Sequence, residues 1–300
     1  MTNLSFLCVG QPKAATTTLH RILSQLDGFG LPGSKELNFL GTPSKFCTPL
    51  DGSTRELVYK QYWNLVKGNN PPDNIRYWGE VSTTYLARAP KVIQSLELLR
   101  IRPDHFIFCI REPFKRLRSH CLHLMYFYGI EKNDLKDALE SDFGDILSSS
   151  MLNKNIDAYR FDLTLPGSSK FHIIEFDAFT RDPKVAVEQL MSNMGIDVSC
   201  KHLSPSYKSG STPRYKPLGY MHHKIAARLA ASNKYRFIYN TKLVRGAAEF
   251  VHRLNSVPPS DDVEEAIKSA LMPYLPKLED DYLKLIQRIL NRSQSGVNVL

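Results

Sequence analysis

The chain has 300 residues, of which 42% are hydrophobic, enough to bury a full α/β core, so one domain with additions is expected. Lysine and arginine outnumber aspartate and glutamate 39 to 30, and the formal net charge of +9 suits anionic partners: nucleic acid, an acidic polysaccharide, an anionic membrane face or a multiply charged nucleotide. The five cysteines, Cys8, Cys47, Cys109, Cys121 and Cys200, have no C-x-x-C spacing, and no uninterrupted apolar stretch reaches the length of a membrane span. Neither a disulfide framework nor a zinc site is indicated, no integral membrane association is expected, and nucleic acid is not an expected partner because no aromatic-rich binding motif accompanies the charge.

The chain opens on an apolar run, Leu4-Ser5-Phe6-Leu7-Cys8-Val9, which stops at Gly10 and leads through Gln11-Pro12-Lys13-Ala14-Ala15-Thr16-Thr17-Thr18 into Leu19-His20-Arg21-Ile22-Leu23. A buried strand, a turn of small and hydroxyl residues with one lysine, and a helix entered through threonines form a cradle for a phosphate group. The N–H groups of a helix start point at the anion, the macrodipole favours its charge, and Lys13 adds a full positive charge. A Walker A loop places lysine directly before Ser/Thr and after glycine. Here Lys13 precedes Thr16 by three residues with no glycine between, so the lysine stands at the mouth of the loop and an ordinary P-loop kinase is disfavoured. The same residues also read as a strand-to-helix turn with a threonine cap.

Next come the turn region Gly28-Phe29-Gly30-Leu31-Pro32-Gly33, then Lys35-Glu36-Leu37-Asn38-Phe39-Leu40, and later Tyr77-Trp78-Gly79-Glu80-Val81-Ser82-Thr83-Thr84-Tyr85-Leu86. Phe106-Ile107-Phe108-Cys109-Ile110 is a second buried-strand run of the parallel type and ends in Arg111-Glu112-Pro113-Phe114-Lys115-Arg116-Leu117-Arg118-Ser119. Pro113 suits the first turn of a helix on which Ser119 then lies. Arg111 stands at the carboxyl end of the strand, where α/β sheets bind ligands, and its planar fork can hold two phosphate oxygens at once.

A third apolar run, Phe171-His172-Ile173-Ile174-Glu175-Phe176-Asp177, is followed by Thr180-Arg181-Asp182-Pro183 and a helix carrying Val185, Leu190, Met191 and Met194, stopped at Gly195. Tyr207-Lys208-Ser209-Gly210-Ser211-Thr212-Pro213-Arg214-Tyr215-Lys216 is basic and helix-poor. Beyond it, residues 220–254 suggest helices packed on one side of the sheet. Pro258-Pro259-Ser260-Asp261-Asp262 reads as a linker and cap, and 271–290 as a helix pair broken near Pro273 and Pro276. His222-His223 has no spaced carboxylate partner and is a solvated pair rather than a metal site.

Four of these segments, in this order, resemble sulfotransferases that use 3′-phosphoadenosine 5′-phosphosulfate (PAPS), of the glycan, heparan-sulfate or bacterial type. The resemblance spans residues 4 to about 216, and its two phosphate motifs are specific in spacing. The first loop is similar to the Lys-x-Gly-Thr-Thr loop for the 5′-phosphosulfate, so Lys13, Ala14, Ala15, Thr16, Thr17 and Thr18 are implied donor ligands. Ala15 stands where the family usually has glycine; should the backbone there need positive φ, alanine costs about 1 kcal/mol. Arg111 and Ser119 match the family's 3′-phosphate ligands. Glu36 falls in a Lys-Glu-x-x-Phe-Phe-like element whose glutamate is the general base, with His20 and His123 as rival bases. Ser82 falls in a Gly-Glu-Lys-Ser-Pro-x-Tyr-like loop as a further ligand, although Val81 replaces the lysine and Thr83 the proline. Ser209, Gly210 and Arg214 correspond to a loop that folds over the nucleotide.

The resemblance implies a P-loop-like α/β fold with a central, mostly parallel sheet flanked by helices. It implies one sulfotransferase domain, with a nucleotide-binding core over 1–216 and a helical extension over 217–300. The function expected is sulfuryl transfer from PAPS to a hydroxyl, or less often an amine, of a glycan, small alcohol or related metabolite, leaving 3′,5′-ADP and needing no metal. A non-catalytic binder of sulfated or phosphorylated polyanions and a P-loop-like kinase are the alternatives. A cytoplasmic location is expected if the chain is complete, and the Golgi lumen if it is cut from a longer one.

Overall fold

The computed structural model describes residues 4–33, 35–42, 52–68, 71–140, 147–161, 169–200, 212–213, 255–291 and 297–299. The first apolar run forms β1 (Leu4–Gly10), with Leu7 and Val9 buried in one apolar cluster and Phe6 and Cys8 in another. The second run forms β4 (Pro103–Ile110), in which Phe106, Phe108 and Ile110 join the first cluster while Ile107 and Cys109 join the second. Burial on both faces is why these strands read as unbroken apolar runs rather than alternating ones.

Between them come α1 (Thr16–Leu23), the two-residue β2 (Phe29–Gly30), α2 (Gly52–Lys67), β3 (Tyr77–Val81) and α3 (Ala89–Leu99). After α4 (Pro113–His123) and α5 (Leu135–Glu140) follow α6 (Leu152–Phe161), β5 (Lys170–Glu175), α7 (Phe176–Arg181) and α8 (Pro183–Asn193). The described chain closes with β6 (Thr212–Pro213), β7 (Ser256–Val257), α9 (Asp261–Leu271), α10 (Leu275–Asn291) and β8 (Val297–Val299). The sheet has six strands in the order β2-β3-β1-β4-β5-β8, every pair parallel. The expected α/β fold with a parallel central sheet is therefore the one formed.

Helices cover both faces because their apolar residues recur every three or four positions. Val92, Leu96 and Leu99 of α3 enter the first cluster; Leu19, Ile22 and Leu23 of α1 and Val187, Leu190 and Met191 of α8 enter the second. Phe171 stacks on Phe106 and Phe108 at centroid distances of 5.6 and 5.9 Å. Asp281 of α10 accepts the Leu152 N–H at 2.6 Å and so caps α6, while Arg288 pairs with Asp157 one helix face further on.

Three boundaries differ from the sequence reading. β5 ends at Glu175 because its carboxylate accepts the Ala178 N–H at 2.8 Å and starts a helix, so Phe176 and Asp177 are helical. β2 and β8 were not visible as strands, being two and three residues long. β8 also brings the last residues of the expected helical extension into the sheet, beside β5.

Contacts divide the chain into two units: Met1–Pro113 with Asp145–Tyr207 and Lys277–Leu300, holding the sheet, and Phe114–Gly144 with Lys208–Pro276. In the second, Arg118 grips Glu264 through two nitrogens, its Nε at 2.8 Å from Oε2, and Lys132 pairs with Asp262 at 2.6 Å. There α4 continues into a π-helical turn, Leu124–Tyr128, closed by Gly129 at a φ of 69°. β6 and β7 pair antiparallel, with Thr212 opposite Val257.

His105 of β4 and His172 of β5 are buried with Nδ1 and Nε2 2.8 Å apart, a contact that needs one ring to donate and the other to accept. Burial lowers both pKa values, that of His172 to about 4, and the Lys170 ammonium acts in the same sense while Asp104 opposes it at His105. The folded state thus favours neutral rings; below the unfolded value near 6.5 the unfolded chain takes up the proton first, so stability falls as pH drops toward 4. Urea unfolding should lose roughly 1 kcal/mol per pH unit more over that window in the native protein than in His172→Gln.

Candidate functional site

Parallel strands send every strand-to-helix loop out at one edge, and β3 and β4 lie on either side of β1, so the segments that follow all three leave from its carboxyl end. Gly10 ends β1 there with a φ of +122°, and a Cβ on it would stand 2.3 Å from the Thr83 carbonyl oxygen, so only glycine lets the chain turn under the residues that follow β3. Gln11 is buried beyond it. Its backbone N–H donates to the Cys109 carbonyl at 2.5 Å and its side-chain amide donates to the Ser149 carbonyl at 2.8 Å.

Lys13 and Ala15 both adopt left-handed backbone conformations, at φ values of 67° and 60°. Ala15 is the N-cap of α1; no side chain caps the helix, and its first turn carries no acidic residue. The Ala15 carbonyl accepts the N–H groups of Thr18 and Leu19 at 2.9 and 3.1 Å, which begins the helical ladder. Ala14 is packed in the second apolar cluster and Thr16 and Thr18 are buried, so Thr17 is the exposed hydroxyl of the run and Ala14 can offer a ligand only its backbone.

Arg111 follows β4 directly. Its N–H donates to Gln11 Oε1 and its Nη1 to the Lys13 carbonyl oxygen, both at 3.1 Å, and the guanidinium lies 3.8 Å over the Phe176 ring. The arginine of the second motif and the lysine loop of the first are therefore joined by a direct hydrogen bond. Ser119 lies on α4 within the second unit, as does His123, whose ring packs 4.6 Å from Phe127. His20 lies in the last turn of α1. Ser209, Gly210 and Arg214 fall outside the described residues.

Glu36 and Asn38 are also left-handed, at φ values of 66° and 53°. Four of the five non-glycine residues with positive φ among the described residues thus lie in the Lys13 and Glu36 loops. Such backbone persists only where surrounding contacts over-determine it. The Glu36 loop has those contacts: the Glu36 N–H donates to the Val81 carbonyl at 3.0 Å, Thr84 Oγ1 donates to Asn38 Oδ1 at 2.5 Å, and Lys35 pairs with the Glu36 carboxylate.

Ser82 is buried, its backbone N–H on the Cys8 carbonyl and its hydroxyl donated to Glu80, so that hydroxyl is engaged inside the protein. The sequence reading assigned Glu80 no role; a carboxylate inside a largely buried strand is the signal that could have found it. Burial raises its pKa while hydrogen bonds from Ser82, Tyr85 and Tyr62 oppose the rise; burial beside that charge holds the Tyr62 and Tyr85 phenols well above their usual range. The Cys8 and Cys109 sulfurs lie 3.8 Å apart, and that contact together with burial raises the Cys109 thiol far above its ordinary value. Burial puts Cys121 at about 12, so the Cys109 and Cys121 thiols are not nucleophiles at neutral pH. Among the described residues no three His, Cys, Asp or Glu side chains gather as a metal site, and no helix is long and apolar enough to cross a membrane.

No protein-family model matches the sequence, and no curated protein does. Among solved structures, a sulfotransferase from Alicyclobacillus acidocaldarius superposes with a TM-score of 0.52 at 19% identity, covering 88% of this chain and all of that one. The sulfotransferase domain of the Synechococcus PCC 7002 olefin synthase matches at 14% identity over 90% of this chain and 95% of its own, with a TM-score of 0.43 that is too low to bear on the fold. The likeness to the first is one of fold.

Because Ala15 holds a left-handed conformation with an L side chain, Ala15→Gly should stabilise the protein by about 1 kcal/mol, read as a higher urea midpoint at unchanged m-value.

Proposed function

We propose that this chain, which carries the sulfotransferase fold, moves the sulfuryl group from PAPS to a hydroxyl, or less often an amine, of a glycan or related metabolite. The observation that supports the reading is the 3.1 Å bond from Arg111 Nη1 to the Lys13 carbonyl, which joins the two segments assigned here to the 3′- and 5′-phosphates. The uncapped start of α1 supports it further, since N–H groups without an acidic neighbour favour an anion.

In this reading Lys13 and the N–H groups of residues 14 to 18 hold the 5′-phosphosulfate. They stabilise the charge that builds on the oxygen between sulfur and phosphorus as that S–O bond breaks. Arg111, in contact with Phe176 and the Lys13 carbonyl, grips the 3′-phosphate. Glu36 takes the acceptor's proton as the new S–O bond forms, and 3′,5′-ADP leaves. A cytoplasmic site of action suits Cys8, Cys109, Cys121 and Cys200, all free thiols.

Labelled sulfate should pass from PAPS to an acceptor in a screen of glycans, lipids and small alcohols, without magnesium and with no transfer from ATP. In the same protein 3′,5′-ADP should raise the melting temperature. Phosphoryl transfer from ATP, or binding of sulfated polyanions with no transfer, would overturn the assignment. Lys13→Ala should cut kcat by about 100-fold or more while moving stability by less than about 1 kcal/mol. Glu36→Gln should lower kcat by roughly 100-fold and leave the 3′,5′-ADP shift in place.

A further inference from the structure

Glu80 has no exposed surface and accepts three hydroxyl protons: Ser82 Oγ and Tyr85 Oη each reach its Oε1 at 2.6 Å, and Tyr62 Oη reaches Oε2 at 2.9 Å. A hydroxyl has one proton, so giving it to Glu80 leaves only lone pairs on its other side. Two of those are taken by the loop that carries Glu36. The Leu40 N–H donates to Tyr85 Oη at 3.0 Å and the Asn38 N–H to Ser82 Oγ at 3.4 Å. By accepting from both, the side chain at position 80 therefore dictates which way the two hydroxyls point, and that direction is the one in which they can accept from the loop.

The loop needs such a hold. Glu36 and Asn38 sit in left-handed backbone that an L residue adopts at a cost of about 1 kcal/mol each. The Glu80 carboxylate is itself too buried to meet a substrate, and its oxygens are occupied by the three hydroxyls. We propose that Glu80 is a positioning residue that acts through Ser82 and Tyr85 to hold the 36–40 loop, and with it the Glu36 carboxylate, where an acceptor is deprotonated. This rests on the assignment of Glu36 as base in the proposed sulfuryl transfer, and it adds a buried carboxylate to that site.

Glu80→Gln keeps the shape and removes the charge. Per folded molecule its kcat should fall about tenfold or more, since small displacements of a reacting group carry large rate costs, while the melting shift given by 3′,5′-ADP stays as in the native protein. Amide exchange at Leu40 and Asn38 should quicken by about tenfold as their acceptors lose orientation. Tyr85→Phe removes the Leu40 acceptor outright and should show the same pair of effects, which decides the matter if Glu80→Gln fails to fold. Val92→Ala, a core change in α3, should lose stability without either effect. Native kcat per folded molecule in Glu80→Gln, or unchanged exchange at Leu40 in both variants, would overturn the positioning role. If the native protein shows no transfer from PAPS, the sulfotransferase reading fails, and exchange at Leu40 still decides whether Glu80 holds the loop.

Discussion

The bond from the Arg111 guanidinium to the Lys13 carbonyl is the contact on which the site depends, because it ties together two segments separated by 98 positions in sequence. It can form only because β1 and β4 are parallel neighbours whose carboxyl ends lie at the same edge. Gln11 completes the junction by bridging the Arg111 N–H and the Ser149 carbonyl, so the lysine loop, the arginine and the approach to α6 are fastened to one buried side chain. The Phe176 ring, 3.8 Å from the Arg111 Cζ, adds a cation–π contact to the same guanidinium. A charged fork with its orientation settled beforehand loses less entropy on meeting a phosphate than a free side chain would.

Backbone strain is concentrated in the same place. Lys13, Ala15, Glu36 and Asn38 are left-handed without being glycine, and the loops that hold them abut the ends of β1 and β3. Gly10 sets the other limit, since nothing larger fits beneath the Thr83 carbonyl. The molecule thus places glycine where sterics forbid a side chain, at Gly10, and tolerates alanine where the penalty is only conformational, at Ala15. The buried Glu80, with its three hydroxyl donors, is the polar counterpart of that arrangement: a charge removed from water and given directional partners that in turn orient the adjoining loop. Around it the apolar clusters on the two faces of the sheet keep these partners in register.

Much of the fold was legible because it rests on local pattern. Runs such as Phe106-Ile107-Phe108-Cys109-Ile110 are apolar without alternation since both faces are covered, and Pro113 and Pro183 each start a helix in which a missing N–H costs nothing. β2 and β8 escaped notice because strands of two and three residues carry no period of their own and exist only through pairing with β3 and β5. The burial of His105 against His172 was equally invisible, since neither ring reveals in sequence that the other lies beside it.

For the site, residue types and spacing were enough to single out Lys13 with the small and hydroxyl residues after it and Arg111 after a buried strand, because charge and strand-to-helix punctuation are local properties; Glu36 came only from the resemblance to sulfotransferases, since a glutamate beside a lysine is by itself an ordinary surface pair. That the Arg111 fork meets the Lys13 carbonyl, that Ser82 spends its hydroxyl on Glu80, and that Tyr62 and Tyr85 close around the same carboxylate were decided by tertiary structure. Each of those contacts depends on which strands are neighbours and in what register, and a chain specifies that only through the packing of its whole core.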